Sequence, residues 1–130
     1  MGPLAGIRIL DLTTVMMGPS ATQILAEMGA DVIKVEAPGG DPVRYIGPAR
    51  HHGMGALFLN ANGSKRSIVM DLKSEGGRQA LLKLCKGADI LAYNIRPQAM
   101  ARLGLGYEDV RAVRPDIIYA GMFGYGQDGP

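Results

Sequence analysis

Five basic side chains, Lys65, Arg66, Lys73, Arg96 and Arg102, gather around two short apolar runs at 67–72 and 88–94. Lys73 and Arg96 come just after those runs, and Asn94 closes the second. If the runs are parallel strands, both cations stand at C-terminal strand ends, where open α/β sheets take ligands. Lysine and arginine bind phosphate, arginine as a two-pronged donor. An asparagine amide both donates and accepts. The set suits a phosphorylated ligand, and solvated surface charge is the alternative for the same residues. A further place for an anion is the stretch Thr13–Gly18, which joins an apolar run to a helix start. Backbone N–H groups at such a start attract phosphate.

The remaining chemistry-bearing residues point less far. Glu36 ends an apolar run roughly where a dinucleotide site keeps its ribose-binding acid. However, TTVMMGPS holds one glycine where the dinucleotide fingerprint needs three, and Pro19 removes a donor. NAD or FAD binding is therefore disfavoured, and Glu36 reads as an ordinary strand-end residue. His51 and His52 are adjacent, with no Cys or carboxylate at metal-ligand spacing, and read as a solvated pair. Cys85 sits beside Leu81, Leu82 and Leu84 and reads as a buried core thiol. Asp11 and Asp71 lie within apolar runs. They are either buried carboxylates with a chemical role or acceptors for loop amides at strand ends. No metal site is expected.

These residues need elements to hold them. Five short runs are rich in Ile and Val and bounded by breakers: 7–12, 31–36, 67–72, 88–94 and 116–121. Such runs suit buried parallel strands. Helical patterns lie between them. The first spans 19–28, with Ile24, Leu25 and Met28 as its apolar face. The second spans 74–86, opened by a Ser74 cap and followed by Gly87. A third spans 107–113 and stops before Pro115. The arrangement predicts an α/β fold: a doubly wound, Rossmann-like parallel sheet with flanking helices and the first strand central, beside the second and fourth. The long stretch 37–66 is the exception, with one helical turn at 56–60, and a loop of that length reads as functional or as a partner surface. YGQDGP is a turn that follows the fifth strand directly, so the sheet reads as incomplete at its C-terminal end and the chain as part of a longer protein.

Composition narrows the function classes. The chain has 130 residues, enough to bury a core, and forms one domain without internal repeats. Its net charge of +2 and the scatter of its basic residues argue against nucleic acid as a partner. A single cysteine excludes an internal disulfide framework. No stretch reaches the ~20 apolar residues of a membrane span, and the N-terminus lacks a signal-peptide pattern. A cytoplasmic location without membrane contact is expected.

Three strings together carry a family resemblance: GIRILDLTTVMMGPSATQILAEMGADVIKVEAPGGDPVR, SKRSIVMDLKSEGGRQALLKL and ADILAYNIRPQAMARLGLGYEDVRAVRPDIIYAGMFGYGQDGP. In this order they resemble the N-terminal part of the class III CoA-transferases. That CaiB/BaiF family includes formyl-CoA transferase, carnitine CoA-transferase and α-methylacyl-CoA racemase. The resemblance implies that residues 1–130 form the N-terminal part of a large CoA-binding domain, in a parent that is an interlocked homodimer. It implies coenzyme A as the group bound, with acyl-CoA and carboxylic acids as substrates. Positions that touch CoA in relatives match Val15, Met16, Met70, Lys73, Asn94, Arg96 and Arg102. Some positions depart from the family pattern. Met16 stands where relatives often have Gln or Leu, Ala37 where formyl-CoA transferase has Arg, and Tyr93 where Glu is common. In family transferases an Asp attacks the thioester and forms an acyl anhydride; racemases use a His and an Asp. Both lie beyond GYGQDGP, so no catalytic residue is assigned here. The 130-residue chain alone is expected to be inactive. The resemblance implies a CoA-transferase, with a racemase of the same family or an inactive CoA- or nucleotide-binding fragment as alternatives.

Overall fold

The computed structural model describes residues 2–128. Five strands form one sheet: β1 (Arg8–Leu12), β2 (Asp31–Glu36), β3 (Arg66–Val69), β4 (Ile90–Tyr93) and β5 (Ile118–Gly121). All neighbours are parallel, in the order β3-β2-β1-β4-β5. β1 is central, with Leu10 opposite Ile33 of β2 and Leu91 of β4. The chain winds outward from β1 to β3, then crosses back past β1 to β4 and β5. The winding reverses between β1 and β4, where sheets of this kind open a crevice at their carboxyl ends.

The helices are α1 (Met17–Glu27), α2 (Ala56–Ala61), α3 (Glu75–Cys85), α4 (Pro97–Arg102) and α5 (Tyr107–Val113). Successive strand side chains point to opposite faces, and the core divides accordingly. Ile9, Val32 and Ala92 pack with Ala26 of α1. Leu10, Leu12, Val35 and Leu91 pack with Leu81 and Cys85 of α3, Met100 of α4 and Val110 of α5. The result is three layers. A leucine as fully buried as Leu81 contributes roughly 1.5–3 kcal/mol.

Each expected run overlaps an observed strand, but two expectations about β3 fail. Pairing ends at Val69, so Asp71 lies outside the strand, exposed in a turn. There its carboxylate accepts the Lys73 amide at 3.0 Å and its carbonyl accepts the Ser74 hydroxyl at 2.7 Å. Local bonding of this kind competes with the strand ladder. β3 is exposed along its whole length because it is an edge strand. The apolar face expected for α1 holds only at Leu25, which packs half-buried against the core, while Met28 is exposed. The buried residues of α1 are Gly18, Pro19, Thr22 and Ala26, while Ile24 is 58% exposed. Small residues let this helix lie close on β1: a Cβ on Gly18 would stand 2.4 Å from the Thr13 Cβ. α3 follows expectation. Ser74 caps it by accepting the Gly77 amide at 3.0 Å, and Leu81 and Cys85 are buried.

Two short elements were not foreseen: α4 and a 3₁₀ turn at Pro42–Tyr45, against which α2 packs. Gly129 and Pro130, the end of the expected C-terminal turn, lie outside the described residues. Among the described residues no helix is long and apolar enough to cross a membrane.

Candidate functional site

A cavity of about 800 Å³ opens over the C-terminal ends of β1 to β4. Its size falls within the roughly 300–1,000 Å³ of small-molecule sites. Leu12 at the end of β1, Val35 in β2, Met70 just past β3 and Ile95 just past β4 give it an apolar lining. One wall is the loop from Glu36 to Pro42; another is α4, through Ala99, Arg102 and the adjoining Leu103. Lys73 contributes from the β3–α3 turn. Three of the residues singled out in the sequence, Met70, Lys73 and Arg102, thus meet in one place. Lys73 and Arg102 are exposed, and neither joins an ion pair among the described residues. Arg96 is exposed at the head of α4 and does not line the cavity.

The other two basic residues leave the expected cluster. Lys65 is buried beneath α1, with Nζ 3.0 Å from Asp11, 2.8 Å from the Pro19 carbonyl and 2.9 Å from Asn62 Oδ1. Burial pulls its ammonium below lysine's ordinary value, against the opposing pull of the Asp11 carboxylate. Arg66 begins β3 at the opposite end of the sheet and pairs with Asp31 at 2.6 Å. Both partner carboxylates lie far away in sequence, so local composition could not reveal the pairing.

Asp11 is fully buried and completely engaged. It accepts from the Thr13 amide at 2.9 Å, the Thr13 and Thr22 hydroxyls at 2.5 and 2.6 Å, and Lys65. Of its two readings, the acceptor of loop donors is the one observed. Glu36 is engaged to the same degree. Arg44 grips both its oxygens at 2.6 and 2.7 Å, and the Ser67 hydroxyl and Asp41 amide add to the grip. Burial by itself would raise this carboxyl. The bonds from Arg44, Ser67 and the Asp41 amide more than reverse that and bring it down to about 2. Arg44 also stacks over the Phe58 ring at 3.7 Å. Glu36 therefore fastens the cavity wall and has no free oxygen for a ribose.

The turn after β1 is gripped from several directions. Asn94 accepts the Thr14 amide at 3.0 Å and donates to the Thr14 carbonyl at 2.9 Å, a two-bond grip on that residue's backbone. The Thr13 carbonyl accepts Lys34 Nζ at 2.8 Å, and Asp41 Oδ1 accepts the Val15 amide at 3.4 Å. Val15 is held at φ 72°, and Val15 and Met16 are both exposed beside the cavity, whose lining includes Thr14. Lys34, Asp41 and Arg44 were missed in the sequence. Their signals were a lysine inside an apolar strand, DVIKVE, and the acid and base of GDPVR. His51 and His52 are exposed, and no group of metal-binding side chains occurs among the described residues. Burial raises the Cys85 thiol to about 11, as suits a core residue.

Comparison with known proteins adds to this geometry. The model of CoA-transferase family III matches residues 4–130. Succinyl-CoA:glutarate CoA-transferase of Mus musculus is 44% identical across 100% of the chain and 30% of its own length. Acetyl-CoA:oxalate CoA-transferase of Acetobacter aceti is 45% identical across 99% of the chain and 33% of its own. The crystal structure of a CAIB/BAIF family protein from Brucella suis superposes with a TM-score of 0.93 at 38% identity, covering 99% of the chain and 35% of its own. A Mycobacterium tuberculosis protein, Rv3272, superposes with a TM-score of 0.91 at 42% identity, covering 100% of the chain and 36% of its own. The chain spans about a third of the length of these relatives.

Proposed function

The chain belongs to CoA-transferase family III, and from that premise we propose that its cavity holds the adenosine diphosphate part of coenzyme A. One observation carries the reading: Met70, Lys73 and Arg102, three positions that the family pattern matches, line a single cavity at the strand ends. The chemistry of the lining fits. Cations without ion-pair partners suit phosphates, and an apolar lining suits a purine. Ala37 leaves only a methyl group in the wall where a longer side chain would fill it. Val15 and Met16 on the adjoining turn, and Arg96 at the head of α4, would meet the part of CoA that leaves the cavity. Asn94 would act through its grip on Thr14.

The reaction we assign to the whole enzyme is exchange of CoA between two carboxylic acids. A carboxylate outside this chain attacks the thioester carbonyl, the C–S bond breaks, and CoA leaves as thiolate. The thiolate then attacks the enzyme's own carbonyl in the resulting anhydride, which releases the donor acid and leaves an enzyme–CoA thioester. The acceptor carboxylate attacks this thioester, expelling the thiolate and forming a second anhydride, and the thiolate attacks its acceptor-acyl carbonyl, giving the new acyl-CoA and freeing the enzyme carboxylate. CoA-transferase relatives at 44–45% identity favour transfer over racemisation. The same reading makes the whole enzyme a cytoplasmic, interlocked homodimer, with residues 1–130 as the start of its large domain. The 130-residue chain supplies no nucleophile and is expected to turn nothing over.

Calorimetric titration of the chain with CoA tests the site. Each phosphate contact contributes roughly 0.5–1.5 kcal/mol, so Lys73→Ala with Arg102→Ala should weaken binding roughly tenfold or more. Equal binding by the double variant overturns the assignment.

A further inference from the structure

We propose that Lys34 and Asp41, a buried ion pair, are positioning residues that set the shape of the turn presented to CoA. The inference rests on the cavity being a CoA site and goes further in naming what holds that site in shape. Val15, branched at Cβ, sits in the left-handed region at φ 72°, where such residues are genuine outliers. The residue is 47% exposed, so little packing offsets the strain. A conformation of this kind persists only where its surroundings over-determine it, and such places cluster at ligand sites.

The surroundings here lead back to one pair. Lys34 Nζ lies 2.8 Å from both the Thr13 carbonyl and Asp41 Oδ2. Asp41 Oδ1 accepts the Val15 amide at 3.4 Å and the Val43 amide at 3.1 Å. The Asp41 amide donates to Glu36 Oε2 at 2.8 Å, and Asp41 itself lines the cavity. The pair thus ties the strained turn to the cavity wall. Both side chains are at most 1% exposed. Burying two charges gains little or nothing over apolar residues of the same shape. The pair is therefore better explained by the geometry it imposes than by stability. Among the described residues, Lys34 Nζ meets only the Thr13 carbonyl and Asp41.

The test is a Lys34→Met, Asp41→Asn double variant, which removes both charges together and strands neither. CoA affinity is measured by calorimetry at a temperature where melting curves show the variant folded. Amide hydrogen exchange at Thr14 and Val15 is followed in parallel. The proposal expects a folded chain, faster exchange at both amides, and a dissociation constant raised about tenfold, equivalent to ~1.4 kcal/mol. An altered melting temperature with affinity within twofold of the parent means that the pair is merely structural, and overturns the proposal. If the double variant does not fold, Asp41→Asn alone, which keeps the shape, is judged by the same two readouts. If the unaltered chain binds no CoA, or the Lys73→Ala, Arg102→Ala variant binds as well as the parent, the reading of the cavity fails, and this proposal with it. If those controls behave and only the Lys34→Met, Asp41→Asn variant binds normally, this proposal alone fails.

Discussion

Replacing Glu36 by Gln should flatten much of the acid sensitivity of this fold. The Glu36 carboxyl is held at about 2 against an ordinary 4.5. A folded-state value below the unfolded one means that folding favours the ionised form. The stabilisation is complete above pH 4.5 and is lost as the pH falls through about 2. At ~1.36 kcal/mol per pH unit, that gap corresponds to about 3 kcal/mol. The side chain is only 2% exposed, so solvent screening reduces this little. Glu36→Gln keeps the shape, loses the charge opposite Arg44, and cannot be protonated. Urea unfolding of parent and variant at pH 6, 4, 3 and 2 gives the comparison. The stability difference should be about 3 kcal/mol at pH 6 and fall to a few tenths by pH 2. Asp31, whose carboxyl Arg8 and Arg66 also hold low, titrates in both proteins and cancels in the difference. A constant difference from pH 6 to pH 2 refutes the argument, because it would mean that the Arg44 clamp does not favour the ionised carboxylate.

Other variants probe the remaining buried contacts. Lys65→Met leaves the buried Asp11 without its cation and should cost about 3–5 kcal/mol in chemical denaturation. Arg66→Ala, at the exposed Asp31 pair, should cost under ~1 kcal/mol. Val15→Gly relieves a left-handed backbone and removes little packing, so it should raise the melting temperature by a few degrees, about 1 kcal/mol of stabilisation; a fall in calorimetry contradicts the strain argument. The Cys85 thiol, raised to about 11 by burial, should stay silent to a disulfide reagent at pH 8 until denaturant is added; prompt reaction of the native chain would show that it is accessible.

The sheet could be read from the sequence because parallel strands leave a local mark. DVIKVE and ADILAYN are apolar runs closed by breakers, and β2 and β4 lie within them. α4 left no such mark, since six residues are too few to show a helical period. Ile24 misled the reading of α1 because helical periodicity favours large apolar residues. The sheet instead selected Gly18 and Thr22, for close approach and for a hydroxyl on Asp11. The cavity was half legible. Lys73 could be placed at a strand end, and the place of Arg102 came only from the family pattern, whereas Lys65 looks the same in sequence as Lys73 and is buried. What separates them is whether a carboxylate from another element arrives, as Asp11 does 54 residues away. Lys34 was the clearest overlooked signal, because a charged residue inside a buried strand requires a partner.

The grip of Asn94 on Thr14 joins residues 80 positions apart. During synthesis at ~5–20 residues per second, roughly 4–16 s separate the appearance of the two. Through that interval the Thr13–Met16 segment has neither its amide clamp nor β4, the neighbour that flanks β1 on one side. Until Lys34 and Asp41 have also emerged, neither of these holds Val15 left-handed, and it is free to relax into ordinary extended backbone. The turn after β1 thus leaves the ribosome well before it can take its final shape. On the proposed reading of the cavity, CoA recognition waits until the sheet has closed over both flanks of β1.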